Sequence, residues 1–243
     1  MLEICVAADS PHLTHNLLAA KHGGAHRVEL CRAMDKDGLT PTADSIKCAR
    51  RVLGKEVLLL VMIRNHADHF HVSAQQRTQM LKQIDTAAEC GADGVVAAAL
   101  GENGTIDVDC THHLTARAHH HGLSLTFHRA FDAVSNASIA ARQLAELGVA
   151  RILSAGQTWG STGPEDARLQ RLTQLADTFP KHLELVVGGG VSADTLPVFS
   201  ALAHCYPRLS FHSFSAVLKN GQVCTDKVRT LSQYIHSFSQ RAD

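Results

Sequence analysis

Eight short apolar runs recur along the chain, each passing through a polar residue and a turn into a stretch of helical spacing. They span Leu2 to Ala7, Arg27 to Cys31, Val57 to Ile63, Gly94 to Leu100, Ser124 to Phe131, Arg151 to Gln157, Leu183 to Val191 and Leu209 to Phe214. Between them, Ser73 to Cys90 closed by Gly91, and Val108 to His121 closed by Gly122, carry helical periodicity with a glycine just past the end. Asn136 precedes an amphipathic run that stops at Gly148, and Pro164 stands where a first helical turn accepts proline. Strands alternating with helices imply parallel crossovers. Eight such units in 243 residues predict one (β/α)8 TIM barrel, a single α/β domain over residues 1–243. A doubly wound open sheet alternates in the same way, but it normally opens with a glycine-rich phosphate loop after its first strand. The first run here, Leu2 to Ala8, has no glycine.

Composition narrows the partners. Hydrophobic residues make up 45% and charged residues 19%, as in a packed domain. The 23 lysines and arginines balance 23 aspartates and glutamates and are scattered, so neither nucleic acid nor an anionic membrane surface is an expected partner. The N-terminus enters a strand without a leader-like pattern, no run approaches the ~18–20 residues of a membrane span, and a cytoplasmic location is expected. Seven cysteines, an odd number lying partly inside strand and helix patterns, read as reduced thiols.

Function in a βα barrel gathers at the carboxyl ends of the strands. Strand alternation puts Glu3 and Cys5 on one face of the first strand, and Glu29 and Cys31 on one face of the second. Adjacent strands lie about 4.8 Å apart, so inward thiols at similar height can share a two-coordinate Cu(I), a soft ion that selects thiolate. The other reading of Cys5 and Cys31 is as small buried hydrophobes. Buried glutamates need a partner or a task, and Arg64 and Arg129 are the cations available to Glu29 and Glu3. In Thr126 to Asp132, alternation would give His128 and Asp132 the same side; a histidine beside a carboxylate can relay protons. The same Glu, Arg and His set also reads as a hydrogen-bonded plug of the barrel interior. Gly188, Gly189 and Gly190, with Ser192 as cap of the next helix, form a candidate anion site, or simply allow a tight turn. His66, His69 and His71 share one loop, but no carboxylate or second cluster completes a zinc pattern.

At these residues the chain resembles the CutC family, proteins named for copper homeostasis. The resemblance rests on Leu2-Glu3-Ile4-Cys5, on Arg27-Val28-Glu29-Leu30-Cys31 continuing to Gly38-Leu39-Thr40-Pro41, on Thr126 to Asp132, and on Gly188-Gly189-Gly190-Val191, and covers nearly the whole chain. It implies a βα barrel, a homodimer or higher homo-oligomer, and copper handling with Cu(I) held by cysteines. Two departures stand out. After Arg64 the family tends to continue with Pro, Arg and a Gly-Asp-Phe run, where this chain has Asn65 to Phe70, and Ser210 replaces a family glutamate.

Two functions are therefore expected to compete. In the first, Cys5 and Cys31 bind Cu(I) in copper homeostasis. In the second, an enzyme acts on a small anionic or sugar-like metabolite, with Glu3 or Glu29 as base, His128 as acid or base, Asp132 beside it and Arg64 on the anion. Gly188, Gly189, Gly190, Ser192 and His212 would then complete the anion site. A barrel serving only partner binding leaves the inward charges unexplained.

Overall fold

The computed structural model describes residues 1–240. Eight parallel strands, β1 (Leu2–Ala7), β2 (Arg27–Cys31), β3 (Leu58–Met62), β4 (Gly94–Ala97), β5 (Ser124–Phe127), β6 (Arg151–Ser154), β7 (Glu184–Val187) and β8 (Leu209–Ser213), pair in sequence order and close into a barrel. The helices between and after them are α1 (Leu13–His22), α2 (Ala43–Leu53), α3 (Ala74–Glu89), α4 (Val108–His120), α5 (Ala137–Glu146), α6 (Glu165–Thr178), α7 (Ser200–Cys205) and α8 (Thr225–Gln240). The (β/α)8 barrel expected from the sequence is the fold observed. A hairpin of β9 (Leu218–Lys219) and β10 (Gln222–Val223) lies between β8 and α8.

The helix ends arise from local chemistry. Ser73 and Gln76 form a reciprocal capping box before α3, Asp107 caps α4 through the Cys110 amide, and Asn136 caps α5 through the Ile139 amide. Each helix turns one apolar face to the strands; in α2 the buried residues Ile46, Ala49 and Leu53 recur at helical spacing. Burying one such leucine or isoleucine contributes about 1.5–3 kcal/mol.

Most strands are shorter than their apolar runs. The fifth run continues to Phe131 in the sequence, yet β5 stops at Phe127 because His128 caps a 3-10 helix over Arg129–Ala133, its ring accepting the Ala130 amide. The regular alternation expected from His128 to Asp132 is therefore absent. Pro164 stands just before the first turn of α6 rather than within it. Ser192 does not cap a helix. It exchanges hydrogen bonds with Thr195 in a turn, after which a 3-10 helix, Leu196–Phe199, leads into the six residues of α7.

Register fixes the barrel interior. Glu3 lies beside Arg27 on one side and His212 on the other, Cys5 beside Glu29, and Ala7 beside Cys31. Gly94 leaves room for this packing, since a Cβ there would stand 2.8 Å from a Leu60 methyl and 2.6 Å from the Ser124 hydroxyl. At the amino-terminal end, Arg27 donates from Nη1 to Glu184 Oε1 (2.8 Å) and from Nη2 to Ser210 Oγ (2.7 Å), while Arg151 donates to Thr126 and Ser124. This polar layer forms the floor under the carboxyl-terminal mouth.

Candidate functional site

The site is built on the floor. Arg27 Nε lies 3.0 Å from Glu3 Oε2, and His212 Nδ1 lies 2.7 Å from Glu3 Oε1. Burial would raise the Glu3 carboxyl, but Arg27 and His212 outweigh it and hold it at about 2. Against its own burial, His212 is pushed well above the usual imidazole range by Glu29, Cys5 and Glu3. The ring is an imidazolium at neutral pH, oriented by Glu3 so that Nε2 points toward the mouth, 3.7 Å from Glu29 Oε2.

One thiol and a carboxyl meet that ring. One ligating atom from each of Cys5, Glu29 and His212 falls within 4.8 Å of the others. The Cys5 thiol is drawn down to about 6 by a hydrogen bond from Cys31 and, against burial, by His212; Cys31 is correspondingly raised. Glu29 is raised well above the carboxylate range by burial first, then by its acidic neighbours Cys5 and Glu3, with His212 opposing. Its Oε1 is buried without a hydrogen-bond partner. Met34 covers the thiols, its sulfur 3.9 Å from Cys5 Sγ.

Above them opens a cavity of about 180 Å³ lined by Cys5, Glu29, Cys31, His212 and, toward the rim, by Arg64, His128, Arg129, Phe70, Trp159 and Phe214. Arg64 is 6% exposed and donates from its terminal nitrogens to the carbonyls of Lys36, Asp37, Gly38 and Ala67. The Gly38-Leu39-Thr40-Pro41 motif contributes the Gly38 carbonyl and anchors the Arg64 backbone, since Thr40 Oγ1 accepts from the Arg64 amide (2.8 Å) and lies 3.1 Å from its carbonyl. Burial, helped by Arg64, holds the His128 imidazole down at about 3, so it is neutral.

The predicted residues separate on this frame. Cys5, Glu29, Cys31, Arg64, His128 and His212 converge on one cavity. Glu3 does not line it and acts from beneath. Asp132 faces another cavity, of about 260 Å³, with Ser154, and is held by Arg129 Nε (2.7 Å), Ser154 Oγ (2.6 Å) and the Ala155 amide (3.0 Å). The Arg64–Glu29 and Arg129–Glu3 pairs that a plugged interior would use do not form: Glu3 is neutralised by Arg27 and Arg129 pairs with Asp132. Gly189 passes beside Arg129 Nη1 and Gly188 gives its carbonyl to Arg168, but none of Gly188, Gly189, Gly190 and Ser192 lines the cavity. Sequence periodicity did not mark Arg27, Phe70 or Trp159 as site residues. A cation at the start of an inward-facing strand next to Glu3 was the available signal for Arg27; Phe70 and Trp159 lie in long loops.

Sequence comparison bears on this geometry. The sequence model of the CutC family matches residues 1–205. This chain belongs to the CutC family. A CutC-family protein of Bacteroides fragilis is 37% identical over 192 residues, covering 79% of this chain and 72% of its relative. The copper homeostasis protein cutC homolog of Drosophila melanogaster is 33% identical over 215 residues, covering 87% of this chain and 76% of the fly protein. The crystal structure of a CutC protein from Streptococcus agalactiae superposes with a TM-score of 0.74 at 27% identity, over 87% of this chain and 97% of the other. In this CutC-family chain, the first two strand motifs give Cys5, Glu29 and Cys31 to the candidate cavity with Glu3 beneath it, and the fifth-strand motif gives His128 and Arg129, whereas the Gly188-to-Val191 motif does not line it. No helix among the described residues is long and apolar enough to cross a membrane.

Proposed function

We propose that this CutC-family protein takes part in copper homeostasis and carries one Cu(I) ion as cargo at the barrel mouth. Cys5 is the principal ligand, Cys31 the second thiol, and His212 Nε2 a third donor. The reading is carried by the clustering of the Cys5 thiol with an imidazole whose far nitrogen is fixed by a carboxylate, in a cavity that Cys31 also lines. Soft thiolate and imidazole donors suit Cu(I), and a carboxylate behind a ligating histidine is the usual outer-shell arrangement at metal sites. The donor set therefore fits the ion. Glu29 is a hard oxygen donor and is not assigned to it. Binding would displace the Cys31 thiol proton and one His212 proton, so affinity should rise with pH.

The test is titration of the reduced protein with Cu(I) against a competing chelator. Cys5→Ser should lose most of the affinity, and Cys31→Ser and His212→Gln part of it. Wild-type affinity in Cys5→Ser would remove the assignment. A second reading, acid–base chemistry on a small metabolite, draws on one observation: Glu29 lines a cavity with a carboxyl oxygen that no protein group satisfies.

A further inference from the structure

The mouth holds more hydrogen-bonding capacity than a copper ion would use. Arg64 forms no ion pair among the described residues; its partners are four backbone carbonyls, and its Nε is buried without any partner. Arg129 commits Nε to Asp132, and its Nη1 runs beside Gly189. Gly189 has φ +72°, and a Cβ there would stand 2.5 Å from Ala155 Cβ and 3.6 Å from that Nη1, so glycine lets the backbone pass close to the guanidinium. His128 Nδ1 accepts the Ala130 amide (3.0 Å), which places the proton of the neutral ring on Nε2.

Two aromatic rings fix the cations at the rim. Arg64 Cζ lies 5.3 Å from the Phe70 ring centre and Arg129 Cζ 5.2 Å from that of Trp159. The two rings meet edge to face at 5.0 Å. Phe70 belongs to the loop after Arg64, so this arch is built partly by that loop. Both cations and Glu29 line the same cavity, whose remaining wall includes Asp37, Met34, Met62 and Leu153.

We propose that the barrel mouth binds a small organic anion that also carries a hydroxyl or amino donor. Its anionic group is received by Arg64, Arg129 and the Nε2–H of His128, and its donor by the carboxyl of Glu29. Cations with hydrogen-bonding capacity to spare in a part-enclosed cavity attract an anion, and charged hydrogen bonds then fix it. A volume of about 180 Å³ is below the range of drug-sized pockets, which limits the ligand to a few carbon atoms. The anionic group is a carboxylate or a phosphate. This goes beyond the copper reading and does not depend on it, since none of these four groups is a proposed copper ligand.

Isothermal titration with L-lactate, propionate, 2-hydroxyethyl phosphate and 1,2-propanediol tests the proposal on wild type, Arg129→Gln, Glu29→Leu and Cys5→Ser. Wild type should bind lactate or 2-hydroxyethyl phosphate at millimolar concentration or better, and the tighter of the two identifies the anionic group. Arg129→Gln should weaken that binding about tenfold, a loss near 1.4 kcal/mol. Trp159→Leu, which removes the ring holding Arg129 and packing on Phe70, should weaken it in the same direction. Propionate, lacking the donor, should bind more weakly than lactate to wild type, and the difference should vanish in Glu29→Leu, which removes the acceptor. Cys5→Ser should retain anion binding even if copper binding is lost, which separates the two proposals. No binding of either anion, unchanged binding in a folded Arg129→Gln, or propanediol binding as well as lactate would overturn the assignment.

Discussion

His212 bridges the floor and the mouth of the barrel: its Nδ1 lies 2.7 Å from Glu3 Oε1 and its Nε2 3.7 Å from Glu29 Oε2. Glu3 is thereby shared between the imidazole and Arg27, and the protonation of the mouth is tied to a charge that solvent does not reach. Removing that charge should affect both stability and chemistry.

Glu3→Gln should destabilise the fold by about 3–5 kcal/mol at neutral pH, because it leaves Arg27 with less compensation in a buried layer. The Glu3 carboxyl is depressed to about 2 from an ordinary value of 4.5. Its stabilisation is therefore present above pH 4.5 and lost as pH falls through 2. Urea unfolding of wild type and variant should show a gap that narrows toward acid. A gap independent of pH would mean that Glu3 acts by packing alone.

The same substitution should lower the His212 titration midpoint, followed by NMR. His212 is raised in the folded protein, so its stabilising contribution is complete below the usual imidazole value of 6.5 and is lost as pH rises through the elevated one. If the proposed copper site holds, Glu3→Gln should also weaken Cu(I) binding about 10–100-fold, the usual effect of removing an outer-shell partner.

Cys5 should ionise near pH 6 and Cys31 far above it. Ultraviolet thiolate absorbance, taken as the difference between wild type and Cys5→Ser, should give that midpoint directly. In His212→Gln it should move up, toward the ordinary thiol value of 9.0. A midpoint unmoved by His212→Gln would show that the imidazole does not support the thiolate.

Arg64→Ala should cost about 1–3 kcal/mol, because several carbonyls of the Lys36-to-Gly38 turn and Ala67 lose their donor. The cavity is open and the arginine is nonetheless structural, so the melting temperature should fall even though the mouth is not sealed by ion pairs. Thr40→Val should cost about 1 kcal/mol through loss of its bonds to the Arg64 backbone.

Gly189→Ala should destabilise by about 1–3 kcal/mol, since it combines a positive φ with contact against Ala155 Cβ at 2.5 Å. Thermal unfolding is sufficient to measure this. Gly190→Ala also meets a positive φ, +88°, but open space, so its cost should be smaller. Equal losses would mean that backbone conformation alone governs the turn.

Much of the site was legible because its residues share strands. Period-two alternation aligned Glu3 with Cys5 and Glu29 with Cys31, and both pairs face inward in the barrel. The same rule failed from His128 to Asp132, where the ladder ends and a 3-10 helix turns Asp132 toward Ser154 and another cavity. Strand periodicity holds only while cross-strand hydrogen bonds continue, and nothing in Arg129-Ala130-Phe131 marks where they stop. Ser192 failed for a related reason: its hydroxyl satisfies the Thr195 amide in a turn, a local bond that a cap and an isolated turn share.

The number and order of the βα units, the inward face of each strand and the presence of thiols and carboxylates near the carboxyl-terminal end were determined by sequence periodicity, which is local. The partners of those groups were decided only by closure. Glu3 and His212 are 209 positions apart and meet because β1 pairs with β8; Arg27 reaches Glu184 and Ser210 across the interior. Residues on one face can be read from a strand by itself, but which buried charge neutralises which depends on inter-strand register and barrel stagger, and those exist only once the chain has folded.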